Sequence, residues 1–268
     1  MLKTIKKLTH QLLLKRHRTI VNTTSATHLR EFFSMVQPVV TGLPLIRLGA
    51  DGDGGYLVPD DLEGISACFS PGVSLLSDFE LSLAKRGIPC FLTDYSVEKA
   101  PLSHPLIHFE KKFLGLEDND VFSRLGTWMS RHAPTNTDFI LQMDIEGAEY
   151  DVLFDLPEHM LEKYRILVIE FHHLDRLISS EGFLLLNLIF KKLNKYFKVV
   201  HIHPNNCAPS YVYQDFEIPP IMEFTFLRRD RLTPSTTVPV FPHALDMQNI
   251  PSLPDVHLPS CWQKHSGT

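Results

Sequence analysis

The sequence predicts an α/β protein built on a doubly wound, mostly parallel sheet of about seven strands. Short apolar runs recur along the middle of the chain and alternate with segments of helical periodicity. The runs are almost continuously apolar, which is typical of parallel strands that helices cover on both faces. The strand candidates are Ile65–Phe69, Cys90–Asp94, Ile107–Lys111, Phe139–Ile145, Ile166–Phe171, Val199–His203 and Met222–Arg228.

Helical patterns separate these strands and complete the predicted architecture. The last strand, Met222–Arg228, is rich in Phe and Thr and is predicted to run antiparallel at an edge of the sheet. Residues 1–36 are predicted to form one or two helices of an N-terminal helical extension. The helices between the strands are predicted at Ser77–Arg86, Phe122–Arg131, Tyr150–Leu153 with its flanks, and Phe183–Tyr196.

The chain divides by composition into three parts. Residues 1–44 are the helical extension, residues 45–231 are the α/β domain, and residues 232–268 are a tail rich in proline. The domain begins with a short strand at Leu45–Leu48, which a glycine-rich turn follows. The tail lacks periodicity and is predicted to wrap the surface or to reach a partner subunit, which suggests a homodimer.

Composition narrows the class of protein. The formal net charge of -5 argues against nucleic acid as a general partner, because proteins that bind it usually carry a basic surplus. The four cysteines are widely spaced and form no zinc or redox motif, which favours a reducing, cytoplasmic compartment. The basic N-terminal segment fits either a solvated helix on the domain or a peripheral contact with the inner face of a membrane.

Ligands of an open α/β sheet bind beyond the carboxyl ends of its strands, so the residues there are the candidates for a site. Ser70 and Gly72 follow the first strand of the sheet, where small residues allow a ligand close to the backbone. Asp94 and Ser96 follow the second strand, about 22 residues after Gly72. An acidic residue at this spacing typically holds the hydroxyls of a nucleoside ribose. Each feature alone is also compatible with an ordinary turn.

Two carboxylates, Asp144 and Glu146, end the fourth strand and project to the same side. Two acids at a strand end repel one another unless a proton or a cation lies between them. They can therefore act as a general base or bind a hard divalent metal. Favourable acids at a helix N-terminus explain Glu149 well and Asp144 poorly.

The next strand ends offer further metal-binding or catalytic side chains. Glu170 and His172 end the fifth strand, and His203 ends the sixth and is predicted to lie near Asp144. A lone histidine is more often structural, but here three consecutive strand ends carry Asp, Glu or His. Glu223, on the last strand, is predicted to support the loop after His203.

The segment Asp144–Glu149, which reads D-I-E-G-A-E, resembles the signature of the FkbM family of S-adenosylmethionine-dependent methyltransferases. The turn Gly52–Tyr56 and the loop His201–Asn206 are similar to features of one branch of that family. The resemblance covers residues 45–230. It implies a class I methyltransferase sheet, which is Rossmann-like, and methyl transfer to oxygen on a sugar, on a free or lipid-linked glycan, or on a related small molecule.

The resemblance also implies roles for the candidate residues. Asp144 and Glu170, with His172 or His203, would bind a divalent cation such as Mg²⁺ or Mn²⁺, and Glu146 would take the acceptor's proton. Asp94, Ser96, Ser70 and Gly72 would hold the cofactor, together with Asp144. The loop after the first strand lacks the acidic residue and paired glycines common in methyltransferases. Contacts from Asp53, Gly55 and Tyr56 are therefore predicted to replace them.

The residues leave three other functions open. A nucleotide-sugar or dinucleotide enzyme would require a glycine-rich fingerprint after the first strand, and the sequence lacks one. A non-catalytic nucleoside-binding module would explain the altered first loop. A metal-dependent hydrolase would use the same acids and histidines without a methyl donor.

Overall fold

A computed structural model describes residues 20–132, 138–233, 235 and 237–264, and the N-terminal prediction for residues 1–19 lies outside them. Seven strands form one mixed sheet, so the predicted α/β sheet of about seven strands is confirmed. Within the described residues, no helix has the length and apolar character needed to cross a membrane.

The strands of this sheet follow the predicted segments closely. The seven strands are β3 (Ile65–Pro71), β4 (Cys90–Thr93), β5 (Ile107–Glu110), β8 (Asp138–Met143), β9 (Tyr164–Phe171), β10 (Phe197–Pro204) and β13 (Met222–Arg228). Their order across the sheet is β10-β13-β9-β8-β3-β4-β5, and the five neighbours from β9 to β5 are parallel.

The predicted position of the last strand is wrong in one respect. β13 is antiparallel, as predicted, but it lies between β9 and β10 instead of at the edge. Its burial explains this position, because six of its seven residues are buried, as expected for a strand with neighbours on both sides. The edge strand on this side of the sheet is β10, which is therefore separated from β9 by the width of β13.

Helices cover one face of the sheet. The helices are α1 (Ala26–Val36), α2 (Asp78–Ala84), α3 (Leu125–His132), α4 (Glu149–Asp155), α5 (Glu158–Leu161) and α6 (Ser180–Tyr196). A large apolar core joins the sheet to α1, α3, α4 and α6. The tail returns to this face, where Trp262 packs against Phe32 and Phe33 of α1. The start of α3 differs from the prediction, since Phe122–Ser123 is a short strand, β7, paired with β6 (Phe113–Leu114).

The opposite face is covered by α2 and by a hairpin. The hairpin pairs β1 (Leu45–Gly49) with β2 (Gly55–Pro59), and a second small hairpin pairs β11 (Tyr211–Tyr213) with β12 (Phe216–Ile218). Arg47 holds the turn of the first hairpin by donating hydrogen bonds to the carbonyl oxygens of Ala50 and Gly52. This hairpin places the glycine-rich turn at the carboxyl ends of the parallel strands.

Candidate functional site

Two cavities meet at the carboxyl ends of β3, β4 and β8, where the topology predicts a ligand. They share Gly72, Ser74 and Asp144, so they adjoin at these three residues, and the two cavities together are named the cleft. The larger cavity, about 500 Å³, is lined by Gly72, Ser74, Thr93, Asp94, Ser96, Phe113, Leu114, Phe122, Asp144, Ile145, Glu146 and Ala148. The other, about 410 Å³, is lined by Asp53, Gly54, Tyr56, Gly72, Val73, Ser74, Leu75, Leu76, Gln142 and Asp144.

Gly72 lets the loops after β3 and β8 touch at the junction of the two cavities. Its φ of +85° is in the left-handed region, and a Cβ there would lie 1.5 Å from the carbonyl oxygen of Asp144. No side chain fits at that distance, so the sequence needs glycine here for both reasons. The close contact sets the depth of the cleft beside Asp144.

Asp94 organises the loops around the larger cavity. Its Oδ2 accepts a hydrogen bond from the backbone N–H of Ser74 at 2.9 Å, and its Oδ1 accepts from the N–H and the hydroxyl of Ser96, each at 2.7 Å. Each carboxylate oxygen can accept more than one hydrogen bond. Asp94 therefore has acceptor capacity left for ligand hydroxyls, and Ser96 lies beside it in the cavity wall.

Ser70 does not line the cleft. It is fully buried, and its hydroxyl contacts the carboxylate of Glu80 and lies 2.6 Å from Gln142 Oε1. Gln142 in turn donates to the hydroxyl of Tyr56 at 3.3 Å. Because Gln142 and Tyr56 do line the smaller cavity, Ser70 contributes through them. The prediction that Ser70 contacts a ligand is therefore corrected: Ser70 supports Gln142, which lines the smaller cavity.

The glycine-rich turn brings Asp53 and Tyr56 to the smaller cavity, as the resemblance implies. Gly55 has a different role. A Cβ at Gly55 would lie 1.9 Å from the carbonyl oxygen of Ala50, so glycine is required for the turn to close on itself. Asp53 also accepts a hydrogen bond from the N–H of Gly54 at 3.1 Å, which fixes the carboxylate at the rim.

Glu80 is a buried carboxylic acid behind the cleft. Burial in apolar surroundings raises its pKa from 4.5 to about 7, although the hydrogen bond from Ser70 opposes the shift. In the unfolded chain the same group ionises near pH 4.5. Between these two values the folded protein binds the extra proton, so this group makes stability fall as pH rises from about 4.5 to about 7.

We expect Glu80→Gln to remove this part of the pH dependence. A neutral amide of the same shape keeps a hydrogen-bonding group beside Ser70 but cannot ionise. The free energy of unfolding of the variant, minus that of the unmodified protein, should increase by about 2–3 kcal/mol as the pH rises from 4.5 to 8. Urea unfolding at several pH values measures this, with Asp78→Asn, a partly exposed acid on the same helix, as the control. If the difference in the free energy of unfolding between Glu80→Gln and the unmodified protein did not change with pH, the proposed role of Glu80 would be contradicted.

His172 is held between carboxylates at the far side of Asp144. Its Nδ1 lies 3.1 Å from Oε1 of Glu149, and its Nε2 lies 3.4 Å from Glu146 Oε2 and 3.8 Å from Asp144 Oδ1. Burial alone would lower the pKa of His172, but the hydrogen bond and charge of Glu149, with the charges of Glu170 and Asp144, raise it to about 9.

Glu149 is more than an acid at a helix start. It is fully buried, and its Oε1 also accepts hydrogen bonds from the backbone N–H groups of Ile145 and Gly147. Its Oε2 is buried without a hydrogen-bond partner. These contacts bind the loop after β8 to β9 through His172, and they hold Glu146 in a left-handed conformation with φ of 57°.

Among the residues that the structure describes, one group of three has ligand atoms within 4.8 Å of one another and can hold a metal ion: Asp144, Glu149 and His172. Two of the four predicted ligands, Asp144 and His172, are thus together. Glu170 and His203 are outside this group. Glu170 instead accepts a hydrogen bond from Asn205 at 2.9 Å.

The insertion of β13 explains why the prediction for His203 is wrong. His203 lies on β10, three strands from β8, and neighbouring strands are about 4.8 Å apart, so about 14 Å separates the two strands. His203 cannot share a cation with Asp144 across that distance. Its Nδ1 lies 3.8 Å from Oδ2 of Asp246 instead, and its neighbour across the strands is Glu223, which in turn pairs with Glu170.

The tail supplies two residues that the sequence analysis missed. Asn249 donates a hydrogen bond to Glu223 at 2.7 Å, and the Nε2 of His201 lies 2.8 Å from Oδ1 of Asp246. Asn206 accepts from the N–H of Ile250 at 2.8 Å, which fastens the same segment. Nothing in the periodicity of the tail indicates these contacts. The predicted support of the loop after His203 by Glu223 is seen only indirectly, through Asn249.

The acids around the cleft are costly to ionise together. Burial raises the pKa of Asp144 to about 8, and the charge of Glu170 adds to the shift. Burial and the neighbouring Glu223 raise the pKa of Glu170 to about 8, and burial raises that of Glu223 to about 8. The oxygens Asp144 Oδ1 and Glu170 Oε2 are buried without hydrogen-bond partners. A ligand that carries positive charge or hydrogen-bond donors would satisfy them.

No family model matches this sequence, and no curated protein matches it. Among solved structures, the chain is similar to one in a crystal structure of a fibrillarin/Nop5p complex. The two share 10% sequence identity with a TM-score of 0.37, over 72% of this chain and 100% of that chain. At this distance the likeness carries no functional conclusion, which must come from the site itself.

Proposed function

We propose that this protein binds S-adenosylmethionine in the cleft and transfers its methyl group to a hydroxyl of a sugar, a glycan or a related small molecule. The observation that carries the proposal is the charge of the cleft. The described residues that line its two cavities include the acids Asp53, Asp94, Asp144 and Glu146, and no Lys, Arg or His. Such a lining favours a cationic ligand over an anionic one.

This charge separates the methyl donor from the rival ligands. S-adenosylmethionine carries a sulfonium and an ammonium group, whereas a dinucleotide or a nucleotide sugar carries a pyrophosphate. The pyrophosphate would face these acids, and the described residues that line the cavities include no Lys, Arg or His side chain to pair with it. The strand order also differs from the 3-2-1-4-5-6 order of the dinucleotide-binding sheet, because β13 is inserted antiparallel before the last strand.

The lining of the cleft supports a proposed place for each part of the donor. The larger cavity offers Phe113 and Phe122 for the adenine and the remaining acceptor capacity of Asp94 for the ribose hydroxyls. The smaller cavity offers Asp53 and Tyr56 to the methionine end. The sulfonium joins these two moieties, so it belongs at the junction, beside Asp144. This arrangement supports the resemblance to the FkbM family, whose D-I-E-G-A-E motif begins at that residue.

In the transfer step, the acceptor oxygen attacks the methyl carbon in line with the sulfur. A C–O bond forms, the C–S bond breaks, and its electron pair stays on sulfur as a neutral thioether. The hydroxyl proton passes to the carboxylate of Glu146, whose side chain is 87% exposed and can return the proton to water. The protein mainly orients the two reactants and supplies this base.

We expect Glu146→Gln to stop turnover without loss of donor binding. The amide cannot take the proton, so turnover should fall by about 10²–10⁴-fold. The dissociation constant for S-adenosylmethionine should change by less than about threefold, because the side chain is at the rim. Formation of S-adenosylhomocysteine can be followed with fractionated small-molecule extracts as acceptors. Turnover by the variant at the unmodified rate would remove Glu146 as the base.

A further inference from the structure

We infer that Asp144 Oδ1 and His172 Nε2 bind a divalent cation beside the methyl-donor cleft, and that Glu149 orients His172 for this purpose. This ligand pair differs from the set of strand-end residues that the sequence suggests, because it excludes His203 and Glu170. The cation site itself does not depend on the proposed methyl transfer. Only its role in catalysis rests on that function.

The geometry of the pair suits a shared cation. Mg²⁺, Mn²⁺ and Zn²⁺ lie about 2.0–2.2 Å from oxygen and nitrogen ligands, so two neighbouring ligands of one ion are about 3.0–3.4 Å apart at octahedral or tetrahedral angles. Asp144 Oδ1 and His172 Nε2 are 3.8 Å apart, which exceeds hydrogen-bond distance, and a shift of about 0.4 Å brings the two atoms to that separation. Asp144 Oδ1 is buried and has no hydrogen-bond partner.

Glu149 gives His172 the environment of a metal ligand. A histidine that binds a metal through one ring nitrogen usually donates the other ring N–H to a carboxylate, which fixes the ring. Here Nδ1 lies 3.1 Å from Glu149 Oε1, and Nε2 faces Asp144. Glu149 is itself fixed by the N–H groups of Ile145 and Gly147, so the ring of His172 cannot turn without losing its contact with Glu149.

A second, independent observation points to a missing positive charge. Glu149 is fully buried, and its Oε2 has no hydrogen-bond partner. Glu149, Asp144 and His172 have ligand atoms within 4.8 Å of one another, and no Lys or Arg forms an ion pair with either acid among the described residues. A cation in this group would balance the charge of the two carboxylates and give the buried oxygens a partner.

The cation would be close to the proposed reaction. Asp144 lines both cavities, and Glu146, the proposed base, has Oε2 3.4 Å from the same His172 nitrogen. If the methyl-transfer proposal holds, a cation here would polarise the acceptor hydroxyl as a Lewis acid. The carboxylate oxygen is a ligand that Mg²⁺ and Mn²⁺ prefer, and the imidazole nitrogen is one that Zn²⁺ and Fe²⁺ prefer, so the mixed pair suits a divalent transition-metal ion.

Mn²⁺ is the probe for this site, because its electron paramagnetic resonance signal reports binding directly. The chelated protein is titrated with Mn²⁺, without a methyl donor, in the unmodified form and in Asp144→Asn, His172→Gln and His203→Gln. We expect one site per chain, at least tenfold weaker binding in the first two variants, and binding within about twofold of the unmodified protein in His203→Gln. Circular dichroism confirms that each variant is folded.

The results separate this inference from the proposed function. Absence of Mn²⁺ binding in the folded, unmodified protein would overturn the site, as would equal binding in the unmodified protein and Asp144→Asn. Greater loss in His203→Gln than in His172→Gln would move the site to β10. Binding of S-adenosylhomocysteine by the chelated protein, measured separately, tests the donor cleft whether or not Mn²⁺ binds.

Discussion

Asp144→Asn is expected to weaken binding of S-adenosylmethionine about 10- to 100-fold, and to weaken binding of S-adenosylhomocysteine much less. The two molecules differ by the methyl group and the sulfonium charge, and Asp144 lies at the junction of the two cavities, where the sulfur belongs. The partly buried carboxylate interacts strongly with a charge there, at about 1.4 kcal/mol for each tenfold in affinity. Calorimetric titrations at pH 8, with a chelator present, measure both ligands.

Asp94→Asn is the matched control for this experiment. Asp94 lines the larger cavity and not the smaller one, and its predicted contact is with ribose hydroxyls that both ligands share. The control should therefore weaken both ligands by a similar factor. If Asp144→Asn also weakened them equally, the sulfonium would not lie beside Asp144, and the assignment of the two cavities to the two ends of the donor would be wrong.

Gly72→Ala is expected to destabilise the fold by at least about 3 kcal/mol and to abolish donor binding. The added Cβ would lie 1.5 Å from the carbonyl oxygen of Asp144 and 2.6 Å from its carbonyl carbon, so the backbone itself would have to shift. Urea unfolding gives the stability, and titration with S-adenosylhomocysteine gives the binding. The expected loss combines a backbone clash with the strain of a left-handed φ.

Gly87→Ala separates these two costs. Gly87 has nearly the same φ, +82°, but no heavy atom lies within 4 Å of the Cβ position there. This exposed control should lose only about 1–2 kcal/mol, the cost of a left-handed residue, and should bind the donor normally. Equal losses in the two variants would show that conformation alone matters, and that the close approach of the loops at Asp144 does not.

The sheet was predictable because apolar runs report burial. Strands such as β8 and β9 are buried on both faces, so they read as continuous apolar segments between helices. Their carboxyl ends then locate Asp144 and His172 without knowledge of the structure. The order of the strands could not be predicted in the same way. The apolar pattern of β13 indicates that this strand is buried, but it does not indicate which two strands lie beside it. The position of β13 moved His203 away from the predicted cation.

The remaining errors arise from side chains whose direction a sequence does not show. Ser70 follows the expected strand but points to Glu80 inside the protein. Glu149 fits a favourable helix start, and only the contact with His172 shows its second role. Asp246 and Asn249 come from a tail without periodicity, and they reach the sheet through single hydrogen bonds and ionic contacts.

The central claim, that this cleft binds S-adenosylmethionine, is tested most directly by calorimetric titration of the purified, unmodified protein with S-adenosylmethionine and S-adenosylhomocysteine. We predict one binding site per chain for each ligand, with a dissociation constant of about 10 µM or tighter, and tighter binding of the sulfonium. Binding of neither ligand at about 1 mM by folded protein would contradict the claim, and with it the proposed methyl transfer.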